Sequence, residues 1–159
     1  MLAIVQIPSF EKLQHNENAL SLALDGIQDP GNLGTIIRIA DWFGIDQIIC
    51  SRDCADVYNA KVVQASMGSI FRVSIYYTDL DSWMGEQKTT MFYGAALNGT
   101  PLKKITGLEK GVIVIGNESK GIREHVMSRI TQKITIEKFG AAESLNAAVA
   151  AGIILSHLK

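Results

Sequence analysis

The sequence predicts an α/β domain built on a mostly parallel sheet flanked by helices. Short aliphatic, β-rich runs alternate with segments of helical periodicity along the chain, the pattern of strands joined through crossover helices. At 159 residues with 47% apolar composition, the chain fits one domain with a sizeable core. Three prolines, no low-complexity tract and 19% charged residues leave no candidate for a long disordered region.

Residues 2–6 and 21–26 read as the first two strands. The turn Gln28-Asp29-Pro30-Gly31 follows, and Asn32 is expected to cap a helix. Leu33, Ile36, Ile37 and Ala40 then recur at i, i+3, i+4 and i+7, which predicts an amphipathic helix ending near Gly44, with Arg38 off its apolar face. Further strands are expected at 47–50, 73–76, 90–97, 112–116 and 133–136, and helices at 59–66, 80–87 and 122–129. A last helix is expected over 144–158, with Leu145, Val149, Gly152, Ile153 and Ser156 as its apolar stripe and alanines on the flanks.

Composition narrows the function. No run approaches the ~20 apolar residues of a membrane span, and the opening MLAIVQIPSF has neither the basic region nor the apolar length of a signal peptide, which points to the cytoplasm. Cys50 and Cys54 are too few for a disulfide framework, and no His or Cys cluster stands beside them to complete a zinc site, so no metal is expected. The formal net charge of −1 lacks the basic surplus of proteins that grip nucleic acid over a broad surface. Charge alone favours a small-molecule enzyme.

In an open parallel sheet, ligands bind where loops leave the carboxyl ends of strands. Three such loops are rich in small and polar residues. The first, Asp29-Pro30-Gly31-Asn32-Leu33-Gly34, reads either as a plain strand-to-helix turn or as a site loop, with Arg38 two turns into the helix as a phosphate clamp or as part of a solvated face. The second, Gly116-Asn117-Glu118-Ser119-Lys120-Gly121, follows the apolar run 112–115. It is neither a Walker loop nor a dinucleotide fingerprint, which disfavours an NTPase or a dehydrogenase. Its glycines permit close backbone approach, and Glu118 is either a hydrogen-bond acceptor for a ligand or a surface residue of a turn. The third, 140–146, ends in Glu143-Ser144-Leu145-Asn146. Ser144 is a good cap by type, which leaves Asn146 unexplained in a first turn where better helix formers exist.

In this order the three loops resemble the three motifs of the SpoU (TrmH-type) branch of the SPOUT methyltransferases. The first motif is Asp29 through Ala40, followed by Phe43-Gly44; the second is Ile113 through Gly121; the third runs from Ile136 through Glu143-Ser144-Leu145-Asn146 to Ala150. Ala65-Ser66-Met67-Gly68 resembles a stretch between the first two, so the likeness covers nearly the whole chain.

The resemblance implies an RNA 2′-O-ribose methyltransferase that binds S-adenosylmethionine in a deep C-terminal trefoil knot, a topology that ordinary rules all but exclude. It places the cofactor against the backbone around Leu97, Gly116, Ile136 and Leu145, with Asn146 beside it, and makes the working unit a homodimer in which both subunits shape the site. Carried over by position, Asn32, Arg38, Glu118, Ser144 and Asn146 are the catalytic set. The family's Arg is often proposed as the base, but a guanidinium is almost never deprotonated in a protein. The reading preferred here is that Arg38 grips a phosphate and polarises the ribose hydroxyl, while Asn32, Glu118, Ser144 and Asn146 fix orientation.

One departure is visible: Glu137 follows Ile136 where the family usually has Pro, so the loop lacks that stiffening but no reacting group is lost. In larger relatives an RNA-binding domain precedes the knotted one. The opening Leu2 to Pro8 resembles the joint, so residues 1–20 are expected to be that joint and 1–159 the catalytic domain. The expected substrate is rRNA of the 23S type, with tRNA as the alternative. A non-catalytic RNA- or nucleotide-binding module is the reading of another class, and a flavodoxin-like binder a more distant one.

Overall fold

The computed structural model describes residues 15–159. Six parallel strands form one sheet in the order β3-β2-β1-β5-β4-β6. They are β1 (Leu20–Asp25), β2 (Gln47–Ser51), β3 (Ser74–Thr78), β4 (Phe92–Pro101), β5 (Gly111–Gly116) and β6 (Gln132–Thr135). The helices are α1 (Pro30–Trp42), α2 (Ala60–Ser66), α3 (Leu80–Glu86), α4 (Glu124–Met127) and α5 (Ala147–Leu158). The expected strand at 2–6 lies outside the described residues.

Strand periodicity divides the core. In β1 and β5, Leu22, Leu24, Ile113 and Ile115 point to one face, where they meet Leu33, Ile36 and Ile37 of α1 and Ala151, Ile154 and Leu155 of α5. Ala23, Val112 and Val114 point to the other, against Leu80, Trp83 and Met84 of α3 and Val126 of α4. A central sheet covered on both faces explains why β1 is buried along its whole length and β5 from Gly111 to Ile115.

The structure corrects several expectations. Asp29, not Asn32, caps α1: its carboxylate accepts from the Asn32 amide at 2.7 Å, and Pro30 opens the helix, where a missing N–H costs nothing. α5 starts at Ala147 with Asn146 as its cap, not at Ser144. The stripe expected for α5 is also wrong, since Ala147, Ala148, Ala151, Ile154, Leu155 and Leu158 are buried while Leu145, Val149, Ile153 and Ser156 are exposed and Gly152 is half-buried. The helix is apolar almost all round, so periodicity had little contrast to read. α4 is shorter than 122–129, because Arg123 is held extended by contacts described below. β4 runs on to Pro101, with a register shift against β6 between Ala95 and Thr100 that leaves 96–99 as a bulge.

Neighbouring β1 and β5 mark the point where the sheet's order reverses. β2 and β3 lie on one side of this pair, and β4 and β6 on the other. The first two polar loops leave the carboxyl ends of these two strands, where open α/β sheets hold ligands.

Candidate active site

Because Asp29 takes the capping role, the Asn32 side chain in the first turn of α1 is free for other work. Its Nδ2 donates to Glu118 Oε1 at 2.5 Å, and its Oδ1 accepts from Asn146 Nδ2 at 2.8 Å. Asn146 Oδ1 in turn accepts from the amides of Ala148 and Val149 at 2.9 and 3.2 Å. A one-way chain of donors thus runs from the end of α5 through Asn146 and Asn32 to the Glu118 carboxylate, joining all three loops. Oε2 of Glu118 has no partner among the described residues and remains an acceptor for an incoming hydroxyl or amine.

The loop that carries Glu118 is folded tightly. Asn117 and Gly121 exchange backbone hydrogen bonds of 2.8 and 3.1 Å, and Asn117 Oδ1 accepts from the amides of Ser119 and Lys120. Asn117 Nδ2 donates to the Gly26 carbonyl at 2.9 Å, tying the second loop to the first. A Cβ on Gly116 would lie 2.2 Å from the Gly121 carbonyl carbon, so only glycine allows this return.

Of the five residues expected to act in catalysis, the structure brings three together: Asn32, Glu118 and Asn146. Ser144 is exposed and makes no hydrogen bond among the described residues. Arg38 stands exposed on the outward face of α1, six residues from Asn32 and therefore about 9 Å along the axis, with no ion pair among the described residues. Of the residues expected at the cofactor, Gly116 ends β5, Ile136 follows β6, and Leu97 sits on the β4 bulge with 75% of its surface exposed. They lie on three adjacent strands, at the carboxyl ends of β5 and β6 and on the bulge of β4 between them. Leu145 is half-exposed next to Asn146.

Thr135 fixes the bulge, its hydroxyl donating to the Ala96 carbonyl at 2.8 Å and accepting from the Gly99 amide at 2.5 Å. Glu137 accepts from Lys103 Nζ at 2.6 Å, an ion pair that fastens the loop after β6 to the turn after β4. Between α1 and α5 runs an open groove of about 390 Å³, with Asn32 and Asn146 at one end and Ile39, Val149, Gly152 and Ile153 along it.

Sequence reasoning missed Asp25, Asp53 and Arg123, which form an ion-pair cluster beneath these loops with Asp25 buried and Arg123 and Asp53 part-exposed. The available signal was Asp25 itself, a carboxylate closing the otherwise apolar run Leu20-Ser21-Leu22-Ala23-Leu24. Cys50 and Cys54 are free, buried thiols, and Cys54 Sγ accepts from the Ile27 amide at 3.3 Å. Among the described residues no group of acidic, His and Cys side chains is placed to hold a metal.

Fold and site together define a parallel α/β domain whose polar cluster lies at the topological switch point of the sheet. The chain belongs to the SpoU rRNA Methylase family, whose model matches residues 19–156. It is 38% identical over 141 residues to the Bacillus subtilis 23S rRNA (guanosine(2553)-2′-O)-methyltransferase RlmP, covering 87% of this chain and 57% of that protein. Among solved structures it resembles a TrmH-family protein from Porphyromonas gingivalis with a TM-score of 0.85 and 37% identity, over 93% of this chain and 62% of that one. It also resembles an AdoMet-bound rRNA methyltransferase from Sinorhizobium meliloti, with a TM-score of 0.82 and 33% identity, over 90% and 56% of the two chains. The chain therefore spans about three-fifths of the length of these relatives. The deep C-terminal trefoil knot follows from the family's fold.

Proposed function

We propose that the chain is the catalytic domain of an S-adenosylmethionine-dependent RNA 2′-O-ribose methyltransferase acting on rRNA of the 23S type. The observation that carries this reading is the Asn146–Asn32–Glu118 chain, which joins the three loops at the switch point of a SpoU-family fold. The relatives' names point to rRNA and to the 2′-oxygen.

The residues present fit the cofactor. Leu97 on the β4 bulge and Leu145 just before α5 leave apolar side chains in solvent, surfaces that a flat purine would cover, and the 96–99 bulge and Gly116 offer backbone groups. When bound, the cofactor supplies a methyl group on a positive sulfonium. The chain's own residues hold the other reactant. Glu118 and Asn32 orient the ribose, Asn146 locks Asn32, and Ser144 supplies a hydroxyl from the third loop. Arg38 grips a phosphate by its planar fork and polarises the hydroxyl. Its outward direction suits a site shared by two copies of the chain, so the homodimer belongs to this reading, as does a cytoplasmic location beside the RNA. No described helix is long and apolar enough to cross a membrane.

The test is transfer of labelled methyl from S-adenosylmethionine to total rRNA and tRNA, followed by nucleoside mapping. A 2′-O-methylnucleoside in rRNA is expected, and Arg38→Ala should lower turnover on the order of 100-fold. Methylation of tRNA alone would move the substrate. No transfer to either RNA would leave a binding module.

A further inference from the structure

We infer that the ion-paired cluster Asp25–Arg123–Asp53 is a positioning device that sets Glu118 against Asn32. Asp25 closes β1, and its side chain has no exposed surface. Arg123 meets it three ways: its backbone amide donates to Oδ2 at 2.8 Å, its Nε donates to Oδ1 at 2.7 Å, and Nη2 pairs with the same Oδ1. Nη2 also reaches Asp53 Oδ1 at 3.2 Å. Ser51 closes the circuit, donating to Asp53 at 2.7 Å and accepting from the Gly26 amide at 2.9 Å. The Ser51 hydrogen bond and the nearby guanidinium hold Asp53 below the usual carboxylate range.

A carboxylate taken wholly out of water is costly unless paired, and a strand that needed only burial there would be served as well by an apolar residue. What the pair adds is geometry. Asp25 stands immediately before the loop that leads to Asn32, and Arg123 stands two residues after the loop that carries Glu118. Their bonds pin the bases of the two loops together below the 2.5 Å contact between Asn32 and Glu118. Among the described residues, Asn117 adds one more polar tie near the bases of those loops, through Gly26. Asp25 and Arg123 therefore act through Glu118 and need not touch substrate.

The inference rests on the methyltransferase reading only for its kinetic arm. In Arg123→Ala, hydrogen exchange at the Ser119, Lys120 and Gly121 amides should accelerate about tenfold or more, while the amides of Val112 to Ile115 keep their protection. Methyl transfer should lose about tenfold in kcat with little change in cofactor Kd, and the losses in Arg123→Ala and Glu118→Gln should not multiply in the double variant. If Arg123→Ala does not fold, Asp25→Asn, nearly the same shape without the charge, is read by the same criteria. Unchanged exchange at 119–121, or losses that multiply, overturns the inference. If the wild-type chain transfers no methyl group, the proposed function fails, and the exchange experiment still decides the positioning role.

Discussion

Asn146 carries two jobs on one amide. Its oxygen caps α5, and its nitrogen holds Asn32 in the orientation that lets Asn32 donate to Glu118. Ser144 is a good cap by residue type and comes first in the chain, and sequence alone left Asn146 without a structural role; the fold gives the cap to Asn146, an equally good capping type, because the chain enters α5 two residues later. Truncation separates the two positions. Asn146→Ala should destabilise by about 1 kcal/mol, lowering Tm by roughly 2–4 °C, while Ser144→Ala, at an exposed position with no hydrogen bond among the described residues, should stay within about 0.5 kcal/mol. Thermal melts followed by circular dichroism check both, and equal effects would return the cap to Ser144. The same logic applies to Asn32. Its type suggested a cap, yet Asp29 was the stronger candidate by position, one residue before a proline that suits the first helical position.

At the scale of elements, what could be read in advance depended on contrast. α1 was legible because Leu33, Ile36, Ile37 and Ala40 stand against Thr35 and Arg38, and all four are buried as expected. α5 was legible as a helix but not in its orientation, since almost any face of Ala147-Ala148-Val149-Ala150-Ala151-Gly152-Ile153-Ile154-Leu155 could be the buried one. The three loops could be found because small and polar residues interrupt apolar strands there. The Asp25–Arg123 pair could not be found, because nothing local says that residues 98 positions apart will meet. Packing between α1 and α2 was likewise hidden in one glycine. A Cβ on Gly34 would lie 2.6 Å from Ala65 Cβ and 2.7 Å from the Val62 carbonyl oxygen, a backbone atom that yields only if the helices part. Gly34→Ala should therefore cost about 1–3 kcal/mol despite the gain in helix propensity. Urea denaturation is the direct measure, and a stabilised variant would mean that α2 shifts freely.

At the scale of the molecule, the face left over from folding is more informative than the core. α5 buries Ala147, Ala148, Ala151, Ile154 and Leu155 against α1 and the sheet, which leaves Val149 half-exposed, Ile153 39% exposed and Gly152 between them. Ile39 of α1 lines the same groove, and Trp42, one turn further along, is 84% exposed. An apolar strip of this kind on a chain with a net charge of −1 is a surface that water wets poorly, and a second copy of the same strip is the simplest cover for it. The groove ends at Asn32 and Asn146, so a second copy closed over it would lie beside the polar cluster. Ile153→Glu puts a charge into that contact without touching the monomer's core. Sedimentation equilibrium should show the wild-type chain as a dimer at micromolar concentration and the variant as a monomer, its association weakened on the order of 100-fold. The variant's thermal stability at high dilution should match that of the wild-type monomer within about 0.5 kcal/mol. Methyl transfer should fall with the dimer while cofactor binding to the separate strand ends falls less, a split that loss of folding cannot produce. A monomeric wild type, or a variant that stays dimeric, would place the second copy elsewhere and leave Arg38 to serve its own protomer.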